Sequence, residues 1–509
     1  MTARASRCQD FNPLFSFIGL GILCCLGLAG KAEAPSSKDR PAYLNPLDVQ
    51  FLDNEHVQVD LTGVRETVTV ALTTGQIVHR ARWPRERPDS DPEAVKIHHE
   101  ELRSLAAQLR PPGAGSIRAV WGRADSGWMV HTWPRFSLPA TQLAQGWVFT
   151  SGLTHWTGQI GYLWETAVLD EPNNGFADPS DVVIAADGRR AYVASGGSDC
   201  VAVVDLTQFH RVASRVVSDT RNRALEPYLR TDDLSASRFL VIGRLPTQNN
   251  PRRLAISPDQ RRLVVSNFLG DSLSVFDVVQ LRLERHISLG GPQPDLIRRG
   301  QILFHSAKLS HLGQFSCASC HPGGGADGLN WDLPRDGIGN AKNTRVLWGS
   351  RSTAPYGWLG TSPTLADRIL GTLRSMHRYE PSAEELTALV AYVSTLPPAP
   401  VAEVAPSERM AYERGRALFH TKAGCATCHP PPTYQDGLAH DVGTGKGQER
   451  RFDTPSLRGL RFSAPYLHDG RAATLEEVFT KHNGQRRHGQ VHLLTPEELA
   501  DLLLFLRTL

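Results

Sequence analysis

Cys317, Cys320 and His321 stand at a spacing that recurs at Cys425, Cys428 and His429. In a C-x-x-C-H pentapeptide two thiols on one short loop reach a porphyrin edge to form thioethers, and the next side chain turns an imidazole under the iron. Zinc or a redox dithiol also uses C-x-x-C pairs, but neither needs a His directly after the second Cys. The duplicated pentapeptide therefore predicts two covalently bound haem c groups, haem 1 held by His321 and haem 2 by His429.

The remaining thiols fit an exported, cofactor-stapled chain. Of eight Cys, four lie in the two motifs, Cys8, Cys24 and Cys25 lie in the first thirty residues, and Cys200 stands alone. Arg4 and Arg7, an apolar run from Leu14 to Ala29, and the small residues Ala32 and Ala34 predict a signal peptide over 1–34. Pro35 suits cleavage after Ala34 badly, so the cut site stays open and an uncleaved anchor is the alternative. The run is short for a spanning helix, and no stable membrane span is expected after cleavage. With the leader gone no disulfide framework remains; the leader and covalent haem attachment together place the protein in the bacterial periplasm or on the outer cell surface. A net charge of +3 over 509 residues argues against nucleic acid as a partner.

The elements that must position the two motifs change character near residue 290. Residues 179–205 recur at 251–277 without a gap, Pro179 matching Pro251, Asp187 matching Asp259, Asp199 matching Asp271 and Asp205 matching Asp277. Each copy reads as short alternating strands separated by turns, and resembles a YVTN-type β-propeller blade, with Tyr192-Val193-Ala194-Ser195 as the matching tetrapeptide. The 72-residue offset exceeds a blade of ~40–45 residues, so 206–248 holds an insertion or a degenerate blade. The stretch 35–290 has room for about five or six blades, and the sequence leaves closure open. Val57 to Val70 also alternates, while Trp121 to Trp164 is aromatic and Gly-rich without a clean repeat.

Beyond residue 290 the pattern is helical and again duplicated. Arg299-Gly300 through Phe304-His305 recurs as Arg414-Gly415 through Phe419-His420, each copy preceding a haem motif. Ser382 with Glu385 and Thr495 with Glu498 open amphipathic runs as capping boxes. The expected architecture is multidomain: an all-β, propeller-like region over 35–290, then two all-α cytochrome c-like domains over 291–400 and 401–509, joined by the Pro-rich linker Pro397 to Pro406.

Phe452-Asp453-Thr454-Pro455-Ser456-Leu457-Arg458 and Ser463-Ala464-Pro465-Tyr466-Leu467-His468-Asp469-Gly470, with Lys342-Asn343-Thr344 and the Trp358 region in the first half, resemble the signature of the di-haem cytochrome c peroxidase/MauG family over 297–509. That resemblance implies an oxidoreductase in which haem 2 accepts electrons from a small periplasmic donor, a cytochrome c or cupredoxin. Haem 1 would then reduce hydrogen peroxide or oxidise a protein substrate. The family places the sixth ligand of haem 2 fourteen residues past the His of A-P-Y-x-H-D-G, where Met or Tyr is usual and this chain has His482. It implies Trp358 as an electron relay between the haems and His468 as a neighbour within the haem pocket. Asn343 with the carbonyls of Ser463 and Pro465 falls on the family's calcium site. Thr372 aligns with His482 in the first half, so haem 1 lacks an aligned sixth ligand. Near the family's distal Glu stand His377 and Arg378. His377 suits a distal acid/base with Arg378 steadying negative charge, a haem ligand, or a surface group. The alternative to an enzyme is a pure electron-transfer cytochrome carrying a propeller docking domain.

Overall fold

The computed structural model describes residues 42–83, 116–123, 126–135, 143, 148–157, 163–217, 234–333, 338–399, 401–447 and 449–509, and the expected leader lies outside them. No helix among the described residues is long and apolar enough to cross a membrane.

The first part is four antiparallel four-stranded sheets, each a meander of consecutive strands. The first holds β1 (Pro46–Phe51), β2 (His56–Leu61), β3 (Glu66–Ala71) and β4 (Gln76–Arg82). The second holds β5 (Ser116–Arg123), β6 (Ser126–Pro134), β7 (Phe149–Thr157) and β8 (Leu163–Val168). The third holds β9 (Pro179–Ile184), β10 (Arg190–Ser195), β11 (Cys200–Asp205) and, after helix α1 (Leu206–Val217) and the short helix α2 (Ser237–Leu240), β12 (Val241–Pro246). The fourth holds β13 (Pro251–Ile256), β14 (Arg262–Asn267), β15 (Ser272–Asp277) and β16 (Arg282–Ser288).

First strands lie side by side: β5 against β9, β9 against β13, and β13 against β1. The sheets thus follow one another as second, third, fourth, first in an open, propeller-like array. Burial of alternate Val and Leu between neighbours holds the stack, with Val57, Val59 and Val68 meeting Val264 and Val275, and Val201 and Val203 meeting Leu263 and Phe276. Room for five or six blades resolves as four sheets among the described residues. The long repeat offset is one sheet with a helical insertion between its third and fourth strands, where β15 and β16 need only residues 278–281.

The aligned Asp residues explain the repeat. Asp199 and Asp271 both sit at positive φ (52° and 45°), and their carboxylates accept the backbone N–H of Asn250 and of Asn45 at 2.8 Å, tying each sheet to the next. Each also meets the helical part: Asp199 pairs with Lys308 (3.0 Å) and Asp271 with Arg298 (3.3 Å).

That helical part repeats itself. α3 (Leu296–Phe304) crosses α6 (Ala383–Val393), and α7 (Arg409–His420) crosses α9 (Pro496–Thr508). The duplicated Arg-Gly is a packing device. A Cβ at Gly300 would fall 1.9 Å from the Ala388 carbonyl oxygen, and one at Gly415 2.0 Å from that of Asp501. Between the pairs lie α4 (Cys317–Cys320), α5 (Leu365–Thr372) running into a π turn at Leu373–His377, and α8 (Leu475–Thr480). The capping boxes at Ser382/Glu385 and Thr495/Glu498 form as their sequences require.

Candidate haem-binding site

One cavity of about 510 Å³ runs between the duplicated helix pairs and is lined by both pentapeptides. Cys317, Cys320, Cys425 and Cys428 carry no disulfide, and burial pushes Cys317 and Cys425 up to about 12, so they are protonated thiols against apolar walls. Each proximal imidazole is oriented the way a metal ligand needs. His321 Nδ1 lies 3.1 Å from the Gly325 carbonyl oxygen and His429 Nδ1 2.9 Å from that of Tyr434. With Nδ1–H donated to a carbonyl, Nε2 keeps its lone pair for iron. Two thiols, one pinned imidazole and an apolar cavity, repeated, fit two haem c groups. Arg345 and Arg368 line the same cavity, and Arg345 is paired at 2.9 Å with Asp453, which lines it too.

His377, at the end of the π turn, is only 3% exposed and lines the cavity. Its Nδ1 is 3.1 Å from the Leu309 carbonyl oxygen, and Phe315 meets its ring edge-on at 4.8 Å. Burial pulls its pKa down to about 4, helped by the neighbouring His321, so the ring is neutral at physiological pH. The reading of His377 as a surface group is therefore overturned by burial. Arg378, in contrast, is exposed, sits at positive φ (50°) and is absent from the cavity lining. The helix ends there and turns its side chain outward.

Around haem 2 the residues differ from expectation. His482 is not part of the lining; its N–H bonds the Glu477 carbonyl as α8 unwinds. The chain then doubles back, and His488 lines the cavity. Asn483 clamps this loop, its side chain accepting from the His488 N–H and donating to the His488 carbonyl, both at 2.9 Å. His488 Nδ1 is buried without a hydrogen-bond partner. Burial, and then the nearby His429, lower the pKa of this imidazole to about 4. An orphaned, neutral imidazole beside the proximal His is what a sixth ligand needs. The only sequence sign of it was a His in the polar run Lys481 to His488.

Between the two motifs, Trp358 lines the cavity, donating Nε1–H to the Asn343 carbonyl at 2.7 Å with Arg345 over its ring. His468 stacks on Phe452 at 3.8 Å and lies edge-on to Trp358 at 6.5 Å, its Nδ1 buried without a partner. Asn343, Ser463 and Pro465 all line the same cavity, and the Asn343 side-chain amide donates to Asn330 Oδ1 at 3.1 Å.

The β sheets reach this site. Asp178 accepts hydrogen bonds from Ser316 Oγ (2.6 Å) and Ser319 Oγ (2.8 Å), the residues framing the first haem motif. Leu143, Val148 and Phe149 pack with Phe315, Cys320, Trp331 and Met376.

Comparison with known proteins agrees with this geometry. Residues 294–402 match the family model described as di-haem cytochrome c peroxidase. Hydrazine synthase subunit gamma of Kuenenia stuttgartiensis is 31% identical over 275 residues, covering 42% of this chain and 78% of that protein. Methylamine utilization protein MauG of Methylorubrum extorquens is 29% identical over 283 residues, covering 42% and 78%. Cytochrome-c peroxidase IdrP2 of Denitromonas iodatirespirans is 25% identical, covering 40% and 76%.

Proposed function

Because the chain belongs to the di-haem cytochrome c peroxidase family and is a peroxidase-like oxidoreductase, we propose that its two motifs divide the work. On this reading Cys425, Cys428 and His429 would hold haem 2, which would supply the entry point for electrons from a small exported donor such as a cytochrome c or cupredoxin. Cys317, Cys320 and His321 would hold haem 1, which would supply the centre for reducing hydrogen peroxide or oxidising a protein substrate. The observation that carries it is one cavity lined by both pentapeptides, by Trp358 and by a buried neutral imidazole, His377, close to His321. Bound haem c supplies the iron redox couple and the centre at which peroxide is reduced.

The chain's own residues supply the rest. His377 donates Nδ1–H to Leu309, which leaves Nε2 as the atom able to take a proton from peroxide and return it to the departing oxygen. Arg345 and Arg368, rather than Arg378, bring guanidinium groups to the cavity lining. Trp358 offers an aromatic bridge whose orientation is set by its bond to the Asn343 carbonyl. His488, which lines the cavity with its Nδ1 unpartnered, would serve as the second imidazole for haem 2 rather than His482, and two imidazoles would lower the reduction potential relative to His/Met. Asn343 with the carbonyls of Ser463 and Pro465 offers oxygen ligands to a calcium ion that would brace the two halves. An exported, periplasmic location follows from thioether attachment and the expected leader.

A second reading has a specific observation behind it. His377, pinned by a carbonyl, has the posture of a ligating imidazole, so both irons would be six-coordinate and the protein a pure electron carrier. The spin state of haem 1 in the half-reduced holoprotein, before and after hydrogen peroxide, decides. A high-spin haem 1 that reacts with peroxide is expected; one that stays low-spin and inert in every redox state refutes the peroxidase reading.

A further inference from the structure

Far from the haem motifs in sequence, three residues of the sheet region turn ligating atoms toward one another. His155 on β7 and Glu165 on β8 are cross-strand partners, and His210 comes from α1. His155 Nδ1 lies 3.2 Å and His210 Nδ1 2.6 Å from the same oxygen, Glu165 Oε2. The three ligating atoms all fall within 4.8 Å of one another, and none of the residues lines the haem cavity. Trp128 stacks on His155 at 4.3 Å and lies 5.7 Å from His210, fixing one side of the cluster.

The helix that delivers His210 is not required by its own sheet. In the matching repeat the third and fourth strands are joined by four residues, 278–281, whereas here α1 is inserted and laid against β8 of the neighbouring sheet. Phe209 and Ala213 anchor α1 in the apolar core, so packing alone accounts for the helix but not for an imidazole aimed at Glu165. The His155 and Glu165 side chains are 16% and 14% exposed, while that of His210 is 42% exposed. Two ligands are thus held by a rigid sheet while the third stands on the solvent side, giving a metal both a frame and an entry path.

We propose that His155, Glu165 and His210 bind a divalent transition-metal cation of the zinc class, through two imidazole nitrogens and one carboxylate oxygen. Tetrahedral zinc with bonds of about 2.0–2.2 Å sets its donors roughly 3.3–3.5 Å apart, so side-chain shifts of about an ångström form the site. Three protein ligands leave the fourth position open to water or a substrate atom. The bound ion clamps the inserted helix onto the second sheet.

The test uses untagged, haem-loaded protein freed of loose metal by chelator and dialysed against zinc. Metal content is read against iron, which at two per chain serves as an internal count. One zinc per two irons is expected for the native protein. Glu165→Gln and His210→Ala should each weaken uptake at least tenfold, with Soret and far-ultraviolet circular dichroism spectra unchanged. His210 is half-exposed, so its removal leaves the fold intact even where a change at Glu165 disturbs β8. No stoichiometric zinc in the native protein, or equal uptake by the His210 variant, overturns the proposal.

Discussion

Replacing Asp178 with Ala tests whether the sheet region holds the first haem motif in place. Two hydroxyls, Ser316 Oγ and Ser319 Oγ, donate to this carboxylate, and the serines that carry them are 1% and 4% exposed. Water cannot replace the lost acceptor at either. Hydrogen bonds to a charged group contribute about 1.5–3 kcal/mol each, and Asp178 is itself only partly buried, so the lower end applies: about 3 kcal/mol for the pair. Asp178 also sits at φ 52°, a conformation that costs a Cβ-bearing residue such as Ala about 1 kcal/mol more than it costs Asp or Asn. The sum is about 4 kcal/mol for Asp178→Ala. Asp178→Asn keeps the backbone preference and one good acceptor, and should cost about 2 kcal/mol. Urea unfolding of the haem-loaded protein, followed at the Soret band and by circular dichroism, measures both. The haem 1 spectrum should broaden while that of haem 2 stays unchanged. An Ala variant that loses less than about 1 kcal/mol, with an unaltered haem 1 spectrum, refutes the anchoring argument.

Removing His488 should turn haem 2 high-spin, whereas His482→Ala should leave it low-spin. Electron paramagnetic resonance of the oxidised protein separates the two, and the opposite pattern would restore His482 as the ligand. Trp358→Phe removes the hydrogen bond to the Asn343 carbonyl, worth about 1 kcal/mol, and should slow electron transfer between the haems without altering either spin state. Flash photolysis of the half-reduced protein checks this. His131, fully buried on β6 with Nε2 2.7 Å from Thr154 Oγ1, is pulled down by burial to about 3. The unfolded chain takes up this proton first as pH falls, so the stability it contributes is present above about pH 6.5 and drains away toward pH 3, at up to about 1.4 kcal/mol per unit. His131→Gln should flatten that part of the pH–stability curve, and an unchanged slope sinks the assignment.

Much of the architecture was legible because the sequence states it twice. Gaps of fixed length between like residues exposed the paired Asp turns, the paired Arg-Gly crossings and the paired capping boxes, and all three have a local physical cause. What had no second copy was opaque. The insertion of α1 left only an overlong period, and nothing in 206–248 distinguished a helix within one sheet from a decayed extra sheet. The place of His482 outside the cavity lining was opaque for a related reason. The count of fourteen from His468 reaches His482, but α8 ends at Thr480, and the clamp by Asn483 brings His488 rather than His482 to the lining. The exposure of Arg378 was opaque in the same way: it sits at positive φ just past His377, and only the backbone shows that turn.

The sheet region is better understood as a wall of the haem 1 pocket than as a spacer or a separate docking module. Phe149 of β7 lies 5.5 Å from Phe315 and 4.9 Å from Trp331, and Phe315 in turn meets His377 at 4.8 Å. A contact chain therefore runs from a sheet strand to the buried His377 imidazole. Gln314 donates to the Leu143 carbonyl at 2.5 Å, and Gly175 N–H bonds the Leu312 carbonyl at 2.8 Å, so the loop before the first motif is stitched to the sheets on both sides. The second motif packs instead on Phe419, Leu502 and Phe505, a core within the helical part. The duplicated pentapeptides thus sit in unlike surroundings. The second is framed by helices and loops of its own half, while the first depends on side chains that arrive from more than a hundred residues earlier.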